Sequence, residues 1–293
     1  MTSHSRKRLL TAQKPVPPHT DDATGDISAA GATIHMATYQ GGRPYQEDRY
    51  LVAGLDVTAR EARRFLADIF SEAAKRTDTN AEGSTGTALV LTTDMKLQTA
   101  FLGDSPVVVF VHDPATGDVS ARKLTKDHHA RLPAEKARIE YEGGYVHPNG
   151  RVDGSLMLSR AFGDGGYIGV SRTPEFSSAD LKKDIDAGKD VFVCLSSDGL
   201  YDTLDPDDYI APLKKAIAQK KEFALAEIFA AHAHEQGSRD SITALVVKVP
   251  GGMTDGLFMA IADGHGGDKT STEVITSFAA SLLKKRLPPP PQK

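Results

Sequence analysis

With 293 residues, 40% of them hydrophobic and 25% charged, the chain has the composition of a globular protein and the length of one large domain or two ordinary ones. A formal net charge of −4 supplies no basic field for nucleic acid or an anionic membrane, so neither is expected as a partner. No apolar stretch is long enough to span a bilayer, and the single cysteine, Cys194, excludes an internal disulfide and suits a reducing, cytoplasmic setting.

The N-terminal MTSHSRKRLL is basic but has no apolar core of the secretory kind, and residues 1–13 carry no acid, a pattern that leaves organelle targeting open. Residues 1–30 are rich in Pro, Thr, Ser and Asp and have little to bury, so a disordered tail is expected there. Strand patterns follow at 32–40, 47–53, 86–92, 96–102, 106–112, 119–124, 155–159, 190–196, 242–249 and 257–262, many of them β-branched and bounded by Gly, Asp or Pro. Asp113 to Asp118 has the turn chemistry of a hairpin connection.

Thr58 with Glu61 predicts a capping box, and behind it Ala62, Phe65, Leu66, Ile69 and Phe70 share one helical face. Pro133 opens a helix that Gly143 and Gly144 close, and residues 207–219 and 222–235 read as two more. Thr270 with Glu273 predicts a second capping box, ahead of Val274, Ile275, Phe278 and Leu282. Gly165 to Asp186 is too irregular to assign, and Pro288 to Lys293 is a proline-rich tail. Long helices beside runs of strands predict an α+β fold with two sheets covered by helices; without an internal linker, residues 31–287 are expected to form one domain.

The chemistry concentrates in acidic residues at the ends of apolar runs. Asp263 closes Leu257 to Ala262, and Asp198 follows Val191 to Leu195. Asp240 precedes Ile242 to Val247, Glu47 and Asp48 open Arg49 to Ala53, and Asp127 follows the run ending at Leu124. A single such carboxylate is ordinarily a turn former. Taken together they suggest a cation site, because gathered carboxylates repel one another unless a cation neutralises them, and hard divalent cations prefer oxygen ligands.

The other readings are weaker. His232 and His234 lie two apart on a helix and face different ways, the wrong arrangement for a zinc pair. Asp127-His128-His129 reads as a surface turn. In Asp263 to Thr270, Asp268 separates Gly267 from Lys269 and breaks the Gly-Lys-Ser/Thr element that a nucleotide-binding loop requires. Cys194, in the apolar run 191–195, reads as a buried small hydrophobe.

The stretches GGRPYQEDRY (41–50), STGTALV (84–90), FLGDSPVVV (101–109), LTKDHHA (124–130), RIEYEGGYV (138–146), RVDGSLMLSRAFGD (151–164), SSDGLYD (196–202), RDSITALVV (239–247) and MAIADGHGG (259–267) resemble the PPM family, the type 2C metal-dependent protein Ser/Thr phosphatases. The resemblance implies a four-layer α-β-β-α sandwich with two antiparallel sheets flanked by helices. It also implies two divalent cations, Mg²⁺ or Mn²⁺, with a weaker third site, and a monomer acting on phosphorylated proteins. Carried over residue by residue, Asp263 bridges both ions, Gly264 offers its carbonyl, and Asp198 and Asp240 complete the direct ligands. Glu47 and Asp48 stand close behind with bound water, and Asp127 and Asp202 match the third site. Arg43 matches the residue that grips phosphate, and His265 the general acid. A catalytically inactive scaffold or binding module on the same fold is the alternative.

Two departures accompany the resemblance. In the family the strand ending in DGHGG, with its helix, follows soon after the QED strand; here that unit, about 253–287, comes last. The polarity required by the acidic residues puts both ends of the moved unit opposite the site, so only short new connections are needed. Ser241 follows Asp240 where the family usually has asparagine.

Overall fold

A computed structural model describes residues 22–286. In chain order the strands are β1 (Ala23–Ala29), β2 (Ala32–Tyr39), β3 (Arg49–Gly54), β4 (Gly83–Ser84), β5 (Gly86–Leu91), β6 (Lys96–Leu102), β7 (Val107–His112) and β8 (Val119–Lys123). They continue as β9 (Phe162–Gly163), β10 (Glu175–Asp180), β11 (Asp190–Ser196), β12 (Ile242–Lys248), β13 (Leu257–Ala262) and β14 (Gly264–His265). The helices are α1 (Ala59–Thr77), α2 (Pro133–Tyr141), α3 (Lys182–Asp186), α4 (Ile210–Ala218), α5 (Leu225–Glu235) and α6 (Lys269–Arg286). None of these described helices is long and apolar enough to cross a membrane.

A six-stranded sheet runs β1-β2-β12-β11-β7-β8 and a five-stranded sheet β10-β6-β5-β13-β3, with every neighbouring pair antiparallel. The central strands are buried on both faces, which is why they read as continuous apolar runs. The period of two then sorts their side chains. Val191, Val193, Leu195, Leu245, Val247, Leu257, Met259 and Ile261 fill the layer between the sheets. Phe192, Cys194, Ala244 and Val246 face α4 and α5, where they meet Tyr209, Leu213 and Phe229. Phe258, Ala260 and Ala262 face α1 and α6, against Phe65, Phe70 and Phe278. The result is the four-layer α-β-β-α sandwich that the resemblance implies.

The capping box of α1 forms as expected, with Glu61 N–H donating to Thr58 Oγ1 and Thr58 N–H donating to Glu61. The Asp113–Asp118 turn closes with Gly117 N–H donating to Asp113 O at 2.8 Å.

Four expectations differ from the structure. The tail to residue 30 is cut short by β1, which pairs with β2 from Ala23↔Thr38 to Ala29↔Ala32; residues 1–21 lie outside the described range, as does the proline-rich end. An edge strand needs little apolar content, and only Ile27 of β1 is fully buried. The alternation at 155–159 forms isolated bridges, not a strand, because Leu156 and Leu158 are satisfied by a small separate cluster with Ile139 and Val146. Part of the unassigned 165–186 segment is β10, paired along β6. Thr270 and Glu273 do not cap α6: Glu82 accepts the Lys269 N–H, Thr270 donates to Glu82 O, and Glu273 accepts from Asn80. A tertiary carboxylate replaces the local cap.

β13 sits between β3 and β5 and joins what would otherwise be separate edges. Its start pairs with the end of β3 (Leu257↔Gly54), and Leu55 N–H donates to Gly256 O at 2.6 Å. Its end pairs with the start of β3 (Ala262↔Arg49), which sets Asp263 beside Asp48. α6 then returns beside α1, bringing Lys285 close enough to Glu61 to act on its charge. Residues 249–256 link β12 of one sheet to β13 of the other.

This central position predicts a large packing cost. Phe258 is fully buried and edge-on to Phe65, so Phe258→Ala should lose about 3–5 kcal/mol in urea denaturation. Phe223, 62% exposed, should lose under about 0.5 kcal/mol on the same change.

Candidate active site

Three chain reversals deliver the central carboxylates to one end of the sandwich. Asp263 follows β13 and is clamped through its backbone: its carbonyl accepts from Thr85 N–H at 2.8 Å and Ser84 Oγ at 3.1 Å, and its N–H donates to Thr85 Oγ1 at 3.2 Å. Asp198 opens a 3-10 turn after β11. The Gly199 that follows packs so tightly on Ser241 O that a Cβ would overlap it. Asp240 stands ahead of β12, against Gly41, whose φ of +64° and contact with Asp240 O both demand glycine.

Asp263 lies close enough to Asp198 and Asp48 for their charges to act on its carboxyl. Asp198, Asp202 and Asp240 each offer an oxygen within 4.8 Å of the others. So many acids in one buried place raise one another's pKa. Burial first, then the neighbouring carboxylates, pushes Asp198 and Asp263 well above the carboxylate range. Burial likewise raises Asp48, to about 6, and raises Glu47 and Asp202.

Arg43 partly offsets this charge. Its Nε and Nη2 donate to the two Asp240 oxygens at 2.6 and 2.5 Å, and its Nη1 donates to Glu47 Oε2 at 3.4 Å. The acids raise the guanidinium pKa. Glu47 also accepts from Gly267 N–H at 3.1 Å. Asp48 Oδ2 accepts from Ser197 Oγ at 2.9 Å, but its Oδ1 is buried without a hydrogen-bond partner among the described residues. An orphaned carboxylate oxygen beside protonation-prone acids fits a site built for cations. Gly264 belongs to the same cradle: a Cβ there would crowd Gly267 O, Glu47 O and Ser271 Oγ.

A cavity of ≈ 500 Å³ opens onto this cluster, lined among others by Arg43, Asp198, Asp202, Asp240, Asp263 and His265. Glu47 and Asp48 stand behind it. Asp127 does not line it and pairs instead with Lys123 at 2.6 Å. The carboxylate that does reach the cavity from that side is Asp104, 8% exposed, which accepts from His129 Nε2 at 2.9 Å. Asp104 ends the run Phe101-Leu102-Gly103 just as Asp263 ends its own, a strand-end signal that it shares with Asp127. Asp164 is a second residue that sequence reasoning missed; it lines the cavity and meets His265 Nε2 at 2.8 Å. Nothing local marks Asp164, since the contact joins residues 101 positions apart.

The family description "Protein phosphatase 2C" matches residues 35–242. The chain belongs to the protein phosphatase 2C family. Protein phosphatase 1F of Homo sapiens is 31% identical over 77% of this chain and 47% of its own length. "Probable protein phosphatase 2C 8" of Arabidopsis thaliana is 29% identical over 53% of this chain and 46% of its own length. The chain thus spans about half the length of the curated relatives it matches. A serine-threonine phosphatase 2C from Toxoplasma gondii shares the fold, with a TM-score of 0.57 at 21% identity, covering 80% of this chain and 98% of that one. The family match stops at 242, ahead of β13 and α6.

The buried charge predicts opposite effects on stability and metal binding. These raised acids hold protons in the folded chain that the unfolded chain releases. Metal-free stability is therefore greatest below the ordinary carboxylate pKa and declines as pH rises through the raised values. At neutral pH Asp263→Asn should raise the Tm of the metal-free protein, by roughly 2–4 °C for each kcal/mol of repulsion relieved. The same change should abolish tight Mn²⁺ binding in calorimetry. A lowered Tm with Mn²⁺ affinity retained would contradict this account of the cluster.

Proposed function

We propose that the protein hydrolyses phosphoserine and phosphothreonine in proteins with the help of divalent cations. The observation that carries this reading is the convergence of Asp263, Asp198, Asp202 and Asp240 on one cavity that Arg43 and His265 also line. An inactive scaffold would be expected to have lost such costly residues, because buried mutual repulsion destabilises a fold that has no cation to place there.

Asp263, Asp198, Asp240 and the Gly264 carbonyl would hold two Mg²⁺ or Mn²⁺ ions, which neutralise phosphate charge and lower the pKa of water. Glu47 and Asp48 would orient bound water. Asp202, with Asp104 in the place first assigned to Asp127, would form a weaker third site. With Asp240 engaged elsewhere, the planar fork of Arg43 is released to take two phosphate oxygens at once. His265 would protonate the departing seryl or threonyl oxygen. Cys194 has no part: it is fully buried, and burial pushes its thiol pKa up to about 12.

We further propose that β13 and α6 are the family's strand–helix unit carried to a new place in the chain. The support is that Leu257 lies against Gly54, and Lys285 near Glu61, at the two points where the usual order would run continuously.

Turnover of an aryl phosphate and of a phosphoseryl peptide should require Mn²⁺ or Mg²⁺ and stop on chelation. Arg43→Ala should raise KM by roughly tenfold or more, the worth of a charge-assisted contact, with a smaller effect on kcat. Turnover that survives chelation, or none at all from folded, metal-loaded protein, would sink the proposal.

A further inference from the structure

We infer that Asp164 is a positioning residue for His265, and that Gly83 is glycine so that the bond between them can form. The inference rests on the phosphatase reading for its chemistry but on separate residues for its geometry.

The contact is built by the small third sheet. β14 pairs with β4 (His265↔Gly83), and β4 pairs with β9 (Gly83↔Gly163). His265 and the turn into Asp164 are therefore brought to opposite sides of one residue, Gly83. Asp164 Oδ2 and His265 Nε2 meet at 2.8 Å directly over it. A Cβ on Gly83 would overlap both of these atoms. Gly83 has no left-handed backbone to explain its identity. Space for this one bond is the reason a side chain is excluded.

The two side chains are unequally placed. Asp164 is 3% exposed and His265 29%. Asp164 is a non-glycine residue at φ +50°, a backbone state that persists where surrounding contacts impose it. Its N–H donates to Glu82 O at 3.1 Å, its carbonyl accepts from Tyr167 N–H at 3.0 Å, and the next N–H, of Gly165, donates to Asn80 O at 2.9 Å. The carboxylate is thus anchored, and it holds the more exposed imidazole.

A carboxylate only accepts hydrogen bonds, so His265, which lines the cavity, donates to it through Nε2–H, and Nδ1 is the ring nitrogen outside that bond. The ring is fixed in rotation and in tautomer. In the hydrolytic step, water oxygen bonds to phosphorus as the ester P–O bond breaks, and its electron pair stays on the seryl oxygen. In its acid form the ring carries a proton on each nitrogen: the one on Nε2 stays in the bond to Asp164, the seryl oxygen takes the one on Nδ1, and a proton of the attacking water, now a hydroxyl on phosphorus, restores the acid form. Held at Nε2, the ring keeps Nδ1 in place for this transfer. A poor alkoxide leaving group depends on such a proton, whereas a nitrophenolate leaves readily without it.

The test uses the full-length protein. Nitrogen-15 spectra of its histidines, with the His265 signals assigned by loss in His265→Asn, should show the metal-free ring protonated at Nε2, and Asp164→Asn should remove that preference. Asp164→Asn with Mn²⁺ should lower kcat on a phosphoseryl peptide by about a hundredfold, the usual worth of general acid catalysis, with KM within about twofold. On p-nitrophenyl phosphate it should cost less than about threefold. Gly83→Ala should reproduce the same selectivity, and Mn²⁺ affinity should change little in either variant. Combined with His265→Asn, Asp164→Asn should cost nothing further.

Equal losses on both substrates, an additional loss on top of His265→Asn, or a neutral ring whose single proton sits on Nδ1 and not on Nε2 beside intact Asp164 would each overturn the inference. If the wild-type protein turned over neither substrate, the phosphatase reading would fail instead, and the spectra would still decide whether Asp164 orients the ring.

Discussion

Repulsion among buried carboxylates is the constraint around which this molecule is organised. Asp263 lies within range of the charges of Asp198 and Asp48, and Asp240 is held by Arg43. Left to itself such a group would separate or stay protonated. It is kept together because each acid sits at a strand end or a tight turn, where the backbone has no freedom to retreat. The glycines Gly41, Gly199 and Gly264 remove the Cβ atoms that would have kept these turns apart. Two sheets and four packed layers serve, in this sense, to hold like charges at short range.

Arg43 moderates the conflict from within the chain. Its fork spans both Asp240 oxygens and reaches Glu47. A guanidinium is a cation on a tether, so the residue that quiets the acids is also, under the proposed function, the one that would meet a phosphate. Other ion pairs act more locally. Arg49, 2% exposed, joins Asp268 at 2.5 Å and donates to the carbonyls of Gln46 and Asp48. It thereby ties the entry to β3 to the loop that follows Asp263.

Much of this was legible in the sequence because the signals are local and periodic. β11, β12 and β13 announce themselves as apolar runs, α1 by its capping box and its apolar face, and the acids by their position where those runs stop. What was not legible depends on partners far away in the chain. β1 has too few apolar residues to be distinguished from a tail; β2 makes it a strand. The cap of α6 is Glu82, nearly two hundred positions from the helix it serves, so a local Thr–Glu pattern suggested the wrong device. Asp127 and Asp104 differ in nothing that a linear pattern can express: both follow strands, and only the turn geometry sends one toward Lys123 and the other into the cavity. Asp164 was hidden for the same reason.

The place of β13 has a consequence for synthesis. A chain leaves the ribosome from its N-terminus, and domains begin to organise as they emerge. Here β3 and β5 appear early, yet they are not neighbours; the strand that lies between them is the last long strand of the described chain. Until it arrives, two sheet edges stand open, and the layer of Phe65, Phe70 and Phe162 lacks the cover of Phe258 and Phe278. The nascent fold must therefore wait, the other strands of its two large sheets already made, with a slot the width of one strand in its middle. Asp263 arrives directly behind that strand, so the acidic cluster is assembled only after every other strand of both large sheets has been made.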